Sequence, residues 1–193
     1  MNFKSKSLLA LVLAISITTA GCSAQWINIA LQDLPVLTQM ALNIATLVSA
    51  FASGKQANPG DVAVIQNISA QASRDLNLLQ SLYAEYKASP SATTLQKLQS
   101  VISAMNQNLS ALLQSAHISN SLLSVRITAA VNLILSTVNN FAALIPQAAP
   151  TTGRRLLTQP PTATQLKHQW NQQVCVPSGS EAFDAGLVGC VMR

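Results

Sequence analysis

Two of the three cysteines lie close together near the end of the chain, where their thiols could form a covalent link. Cys175 and Cys190 are separated by fourteen residues that include proline and glycine, which allow the chain to double back. In an oxidising compartment this pair predicts a disulfide, which would contribute about 3 kcal/mol on a loop-entropy basis. The alternatives are two free thiols or half of a zinc site. Zinc needs four ligands, and neither His117 nor His168 has metal-ligand spacing to either cysteine, so we expect no metal.

The third cysteine, Cys22, ends an apolar stretch near the start of the chain. The stretch Leu8–Cys22 reads LLALVLAISITTAGC and follows Lys4 and Lys6, an order that is typical of a secretory signal peptide. It is too short, and too polar toward its end, for a membrane-spanning helix. We therefore predict that residues 1–21 form a signal peptide and that the remainder of the chain is exported.

The residues Thr19–Cys22 resemble the lipobox of bacterial lipoproteins. The last three fit the motif, whereas Thr19 stands where the family usually has an aliphatic residue. This resemblance covers only the first two dozen residues. It implies that Cys22 is acylated, becomes the first mature residue, and anchors the protein stably through several acyl chains. The following residue, Ser23, is not Asp, which in this family implies the periplasmic face of the outer membrane.

Groups that could carry out catalysis are scarce in this sequence. The whole chain has six acidic residues and two histidines, and no two acids have a helical spacing that would pair them across a cleft. It contains no glycine-rich phosphate loop, no Gly-x-Ser-x-Gly elbow and no His-Glu-x-x-His motif. We predict a protein that is not an enzyme and that binds no cofactor.

The charge of the chain also argues against a nucleic-acid partner. Loss of Lys4 and Lys6 with the leader lowers the formal charge from +5 to +3, so long-range fields are weak. The one adjacent pair of basic residues, Arg154 and Arg155, lies in a Pro/Thr-rich stretch and is interpreted as part of a solvated linker.

The first amphipathic segment follows the leader and runs from Ala24 to Phe51 with an apolar face at helical spacing. Asp33 and Pro35 interrupt it. Either one helix kinks at the proline, or a short helix ends there and a second begins with Asp33 as its cap. We expect Gly54 to provide the left-handed C-terminal cap.

The second and third segments have clearer boundaries. Asn58 is a good N-cap and Pro59 fits the first helical position, while Ser89–Pro90 is expected to end the second helix. In the third segment, Leu95–Leu112, large apolar residues recur in alternating steps of three and four. This narrow seam is typical of helices that pack as in a coiled coil.

The fourth segment is predicted to begin at a cap on Ser119 or Ser121 and to end at Pro146. Four helices joined by short turns predict an all-α fold, an antiparallel up-down-up-down four-helix bundle over residues 22–146. Polar residues in the first and fourth helices, such as Asn132, argue against membrane spans.

Beyond the bundle, residues 147–193 form a Pro/Thr-rich linker and a C-terminal tail that is irregular and closed by the predicted disulfide. We expect a short helix over Leu166–Gln173. Val174–Val176 and Leu187–Met192 are candidates for two short strands in a hairpin. Alternatively, the tail docks on the bundle as an extended strap.

These observations predict a membrane-tethered periplasmic lipoprotein that acts as a helical structural or interaction module with an envelope protein partner. A first alternative is a carrier of a lipid or small molecule that binds in a cavity between the helices. The residues that would line this cavity are Tyr83, Tyr86, Met40 and Met105. A second is a protein that inserts its weakly charged first and fourth helices into membranes. Ordinary signal cleavage near position 20 or 24, which would leave an unanchored protein, stays open as well.

Overall fold

The computed structural model describes residues 3–55, 57–145 and 160–193, with side chains described from Trp26 onward. Within these ranges the chain forms six helices and no strand. They are α1 (Phe3–Ser53), α2 (Pro59–Ala88), α3 (Ala92–Ser115), α4 (Ser121–Leu144), α5 (Ala163–Gln173) and α6 (Glu181–Ala185).

The four long helices form the predicted bundle. Each packs against the next along the chain, and α4 closes the ring by packing against α1. Short connections between successive helices produce this order, because they leave the next helix no route except back alongside the previous one. The prediction of an all-α four-helix bundle is therefore confirmed.

Local signals set the start of α2 and α3. The side-chain oxygen of Asn58 accepts from the Asp61 N–H at 2.8 Å, and Pro59 occupies the first helical position, as the sequence predicts. The hydroxyl of Ser91 caps α3 by accepting from the Thr94 N–H at 3.0 Å. Each cap satisfies a backbone donor that has no partner within its own helix.

The helices differ in how much of their circumference is buried. In α3 the buried large apolar residues form the single predicted seam, namely Leu98, Ile102, Met105 and Leu109. In α4 the buried set is wider and includes consecutive positions, namely Leu123, Ile127, Ala130, Val131, Leu133, Ile134, Leu135, Val138 and Phe141. Helix α1 is similarly wide from Trp26 to Phe51. A helix buried over a wide arc must contact more than its two bundle neighbours.

Helix α1 is continuous through Pro35, so of the two alternatives the one with a second helix capped by Asp33 is wrong. Burial on several sides outweighs the hydrogen bond that the proline removes. The left-handed cap also falls one residue later than predicted. The Gly54 N–H still donates to the Ala50 carbonyl in the helical pattern, and Lys55 has the positive φ of 59°.

The start of α4 differs from the prediction by one residue. Asn120, rather than Ser119 or Ser121, caps this helix by accepting from the Leu123 N–H at 3.1 Å. Ser119 is instead bound by Asp61, whose two carboxylate oxygens lie 3.1 and 3.2 Å from the Ser119 nitrogen. The turn before α4 is thereby fastened to the first turn of α2, a long-range contact that no local sequence pattern indicates.

The tail contains a helix where the sequence predicts one, but the predicted hairpin is wrong. Thr162 and Gln165 form a capping box that starts α5 two turns before Trp170. Helix α6 and a series of turns follow, with hydrogen bonds such as Leu187 N–H to the Asp184 carbonyl at 3.0 Å. These local bonds satisfy the backbone without a strand partner, while the side chains of Val174 and Leu187 are buried.

We expect Asp61→Ala to lower the free energy of unfolding by about 1–3 kcal/mol, because it removes the buried carboxylate that accepts from the Ser119 N–H. Urea denaturation of the purified protein measures this change. Asp75→Ala is the matched control, since among the described residues its carboxylate accepts from Gln71 on the same helix and from no other element. Equal losses in the two variants would show that the contact between the two turns is unimportant.

Candidate functional site

The structure confirms the predicted covalent link in the tail. Cys175 and Cys190 form a disulfide with a Cα–Cα distance of 5.6 Å, and both residues are buried. Residues 1–21 and Cys22 lie outside the described side chains, and Arg154 and Arg155 lie outside the described residues. The predictions made for them remain predictions.

Hydrogen bonds close the tail on itself around this disulfide. The indole N–H of Trp170, a fully buried residue of α5, donates to the Cys190 carbonyl at 2.9 Å. The Asn171 side chain donates to the Met192 carbonyl at 2.9 Å and accepts from the Met192 N–H at 2.8 Å. The last residues of the chain are therefore fixed to α5 by both covalent and hydrogen bonds.

The tail is docked on the bundle rather than separate from it. Helix α5 packs against both α1 and α4, which accounts for the wide buried arcs of these two helices. The ring of Phe183 stacks on Phe51 of α1 with centroids 4.3 Å apart. At Gly186 a Cβ atom would lie only 2.6 Å from the Phe51 ring, so this close approach needs glycine. On the α4 side, Arg126 donates to the Val176 carbonyl at 2.7 Å.

An open groove of about 420 Å³ lies where the tail meets α1. We call it the tail groove. Its α1 side consists of Pro35, Val36, Gln39 and Asn43. Its tail side consists of Lys167, Gly189, Val191, Met192 and Arg193. The groove thus combines apolar side chains, two amides and two cations, and it has no acidic residue in its lining.

The tail groove also carries directed polar groups. The Lys167 ammonium donates to the Arg193 carbonyl at 2.6 Å, and the Gln39 amide donates to the Asn43 side-chain oxygen at 2.9 Å. These contacts restrict the positions of a cation and of both amides along the rim. The groove is assembled from positions far apart in the sequence, so sequence reasoning did not find it.

Asp33 is a buried carboxylate at the junction of α1 with α5. It is 3% exposed, and its Oδ2 has no hydrogen-bond partner among the described residues. Burial raises its pKa to about 6, while a hydrogen bond from the backbone of Ala163, in the first turn of α5, acts in the opposite direction. A lone acid within an apolar stripe was the available sequence signal, and it was considered only as a cap in one of two alternatives.

The residues proposed to line a ligand pocket lie in the core. Tyr83, Met40 and Met105 are fully buried, and Tyr86 is nearly so. The Trp26 ring packs against Tyr83 and Tyr86 at centroid distances of 5.6 and 5.9 Å. Burial raises the pKa of Tyr83. The three rings fill the bundle at the end where α1 enters it.

The two histidines are separate and exposed. His117 lies after the end of α3, with its Nδ1 2.9 Å from the Ser115 carbonyl oxygen, and His168 lies on α5. In the part of the chain that the structure describes, no group of three or more His, Cys, Asp or Glu side chains could hold a metal ion.

Within the described residues, two helical segments are long and apolar enough to cross a membrane by length and composition alone, Trp26–Ser53 and Ser121–Leu144. Core helices of soluble proteins meet the same criterion, and about half of each of these segments is buried inside the structure. Their apolar composition is accounted for by contacts with the bundle and the tail.

Comparison with known proteins gives no relative from which a role could be inferred: no family model, no curated protein and no solved structure matches this chain.

Removal of the disulfide in a Cys175→Ser/Cys190→Ser double variant should lower the free energy of unfolding by about 3 kcal/mol, because the open tail gains conformational entropy when unfolded. Urea denaturation measures the difference. A reductant should destabilise the wild-type protein by a similar amount and leave the double variant unchanged. A wild-type protein whose stability does not respond to reductant would contradict this role.

Asp33 should make stability depend on pH. Burial raises the pKa of the Asp33 carboxyl in the folded state, so the unfolded chain loses the carboxyl proton at a lower pH than the folded protein does. The free energy of unfolding therefore falls as the pH rises from about 4 to above 6. At neutral pH, ionisation of the buried carboxyl lowers the free energy of unfolding by up to about 3 kcal/mol. We expect Asp33→Asn to be more stable than wild type at pH 7.5 and equally stable at pH 3.5.

Urea denaturation at a series of pH values tests this expectation. Glu181→Gln is the control, because Glu181 is an exposed acid at the start of α6. A wild-type and an Asp33→Asn protein with parallel pH profiles would exclude a buried, destabilised carboxylate at this position.

Proposed function

We propose that this protein is a lipoprotein of the bacterial cell envelope, tethered to the membrane through acyl chains on Cys22. In this role it is a non-catalytic helical module that faces the periplasm and binds an envelope protein. The lipobox-like residues Thr19–Cys22 behind a signal-peptide pattern support the tether. The identity of Ser23 supports the periplasmic face of the outer membrane.

The observation that carries this proposal is the short distance between Cys22 and the core of the bundle. Trp26, only four residues later, is 7% exposed and packs against two tyrosines of α2. Both residues belong to the continuous helix α1, so about 6 Å of helix separates them. The proposed anchor is therefore joined to the folded domain without a flexible linker.

A direct connection of this kind determines which end of the bundle faces the membrane. The end that contains Trp26 also contains the last turn of α2, with Tyr86 and the exposed Lys87, and the first turn of α3. A lysine at this end can interact with anionic lipid headgroups. The opposite end, where Phe51 meets Phe183 of the tail, then extends into the periplasm.

The non-catalytic role is supported by the contacts that occupy the few titratable groups. Asp61 binds the turn before α4, and Asp184 accepts hydrogen bonds from Ser178 and Gly179. Glu85 lies 4.0 Å from Lys97 and accepts from Thr94. These carboxylates hold the fold together, which favours a structural or binding role over chemistry.

A carrier of lipids or small molecules remains an alternative prediction. Among the described residues, no observation favours it, because the side chains proposed for its pocket are buried in the core, where both tyrosines pack against Trp26. Mass spectrometry of the protein purified from its native membrane would detect a lipid that copurifies with it.

The tether is tested by Cys22→Ser. We expect the wild-type protein to fractionate with membranes and to carry an acylated N-terminus, and the variant to lose both properties while it is still exported. Membrane fractionation and intact-protein mass spectrometry measure the two effects. Recovery of unmodified wild-type protein in the soluble periplasmic fraction would refute the tether.

A matched variant at the next residue separates anchoring from sorting. Ser23→Asp should keep the acyl chains and the membrane association, but move the protein from the outer to the inner membrane. If Ser23→Asp and wild type distribute identically between the separated membranes, the proposed outer-membrane location is wrong, although the tether itself stands.

A further inference from the structure

We propose that the tail groove is the partner-binding site of this protein and that it binds an extended, acidic peptide segment of a protein. The inference deepens the proposed interaction role and rests on it. The proposed ligand is a peptide in which carboxylate and aliphatic side chains alternate. The charge, the shape and the hydrogen-bonding groups of the groove each support this ligand.

Charge is the first reason. Lys167 and Arg193 both line the groove, and within the described residues neither has an acidic partner within 4.0 Å. Two other cations do lie near acids, Lys97 near Glu85 and Arg126 near Asp184. Lys167 also donates to the Arg193 carbonyl at 2.6 Å. On a protein with so few charges, two cations at one concave site that is lined by no acidic side chain create a local attraction for carboxylates.

Shape is the second reason. The α1 side of the groove extends from Pro35 to Asn43, which is about 12 Å along a helix. An extended peptide rises about 3.3 Å per residue, so this length fits about four residues. Val36, Val191 and Met192 provide apolar surface, and Val191 is 58% exposed. An aliphatic side chain of the ligand would cover this surface.

The hydrogen-bonding groups of the groove suit a peptide better than a bare phosphate. Gln39 and Asn43 offer both donors and acceptors along the rim, which matches a peptide backbone. A bare phosphate accepts hydrogen bonds and does not donate them, so it would pair only with the donors of these two amides.

The tail side of the groove is held in place before any ligand binds. Gly189 and Val191 flank Cys190 of the disulfide, and the Met192 backbone is fixed by Asn171. A groove that is already ordered binds with a smaller entropy loss than one that must form on binding. This gives the disulfide a role in binding, and reduction of the disulfide should weaken the site.

The test uses the full mature protein, with its native N-terminus, in nanodiscs of uncharged lipid. The probe is a capped hexapeptide that alternates Asp and Val, and the control peptide alternates Asn and Val. The methyl group of Met192 reports binding by NMR, because it lies in the groove. The methyl groups of Met40 and Met105 are internal controls, since both residues are fully buried.

We expect the acidic peptide to shift the Met192 signal and to bind at least about tenfold more tightly than the control peptide, the difference that one charge-assisted hydrogen bond provides. Lys167→Gln and Arg193→Gln should each weaken binding by about tenfold. Lys97→Gln, a change of one cation on α3, should leave the affinity unchanged.

Three results would overturn the inference. They are the absence of a Met192 shift at about 1 mM acidic peptide, equal affinity for the two peptides, and equal losses in Lys97→Gln and Lys167→Gln. Binding of monomeric short-chain phosphatidylglycerol at the groove, without binding of the peptide, would assign it to lipid headgroups instead. The tether is tested separately by Cys22→Ser, so failure of the anchor and failure of the groove give different results.

Discussion

The structure depends on the burial of α1 and α4 on two sides. Each contacts its bundle neighbours on one side and α5 of the tail on the other, whereas α3 buries a single seam. Without the tail, the outer arcs of both helices would face water and destabilise the fold. A helix of eleven residues is marginal alone, so α5 in turn depends on Trp170, the disulfide and the bundle for its stability. The bundle and the tail therefore form one cooperative unit.

This constraint also explains which parts of the fold the sequence predicts. The seam of α3, the cap at Asn58 and the pairing of Cys175 with Cys190 are local or compositional signals, and each is confirmed. The continuity of α1 and the absence of the hairpin depend on what packs against these segments, which no local pattern contains. The contact of Asp61 with Ser119 and the whole tail groove join residues that are distant in sequence. Such contacts can be known only from the folded chain.

Asp33 shows that the sequence can indicate a type of interaction, a carboxylate at the start of a helix, without identifying the helix. The sequence places an acid before Pro35, and in one of the two alternatives it was the cap of a helix that begins there. In the structure its carboxylate does accept from the first turn of a helix, but that helix is α5, more than a hundred residues later. The interaction with the positive end of α5 offsets part of the cost of burying this charge. Docking of the tail and ionisation of Asp33 are consequently linked.

The continuity of α1 connects the proposed anchor to the proposed binding site. Pro35, at one end of the tail groove, lies thirteen residues after Cys22 on the same helix. With the helix axis along the membrane normal, the groove stands about 20 Å above the anchored residue, beyond the lipid headgroups. With the proposed anchor in a membrane that faces the periplasm, a site at this height would meet periplasmic proteins rather than the membrane surface. Because no flexible linker intervenes, a partner bound there would be held at a fixed distance from the bilayer.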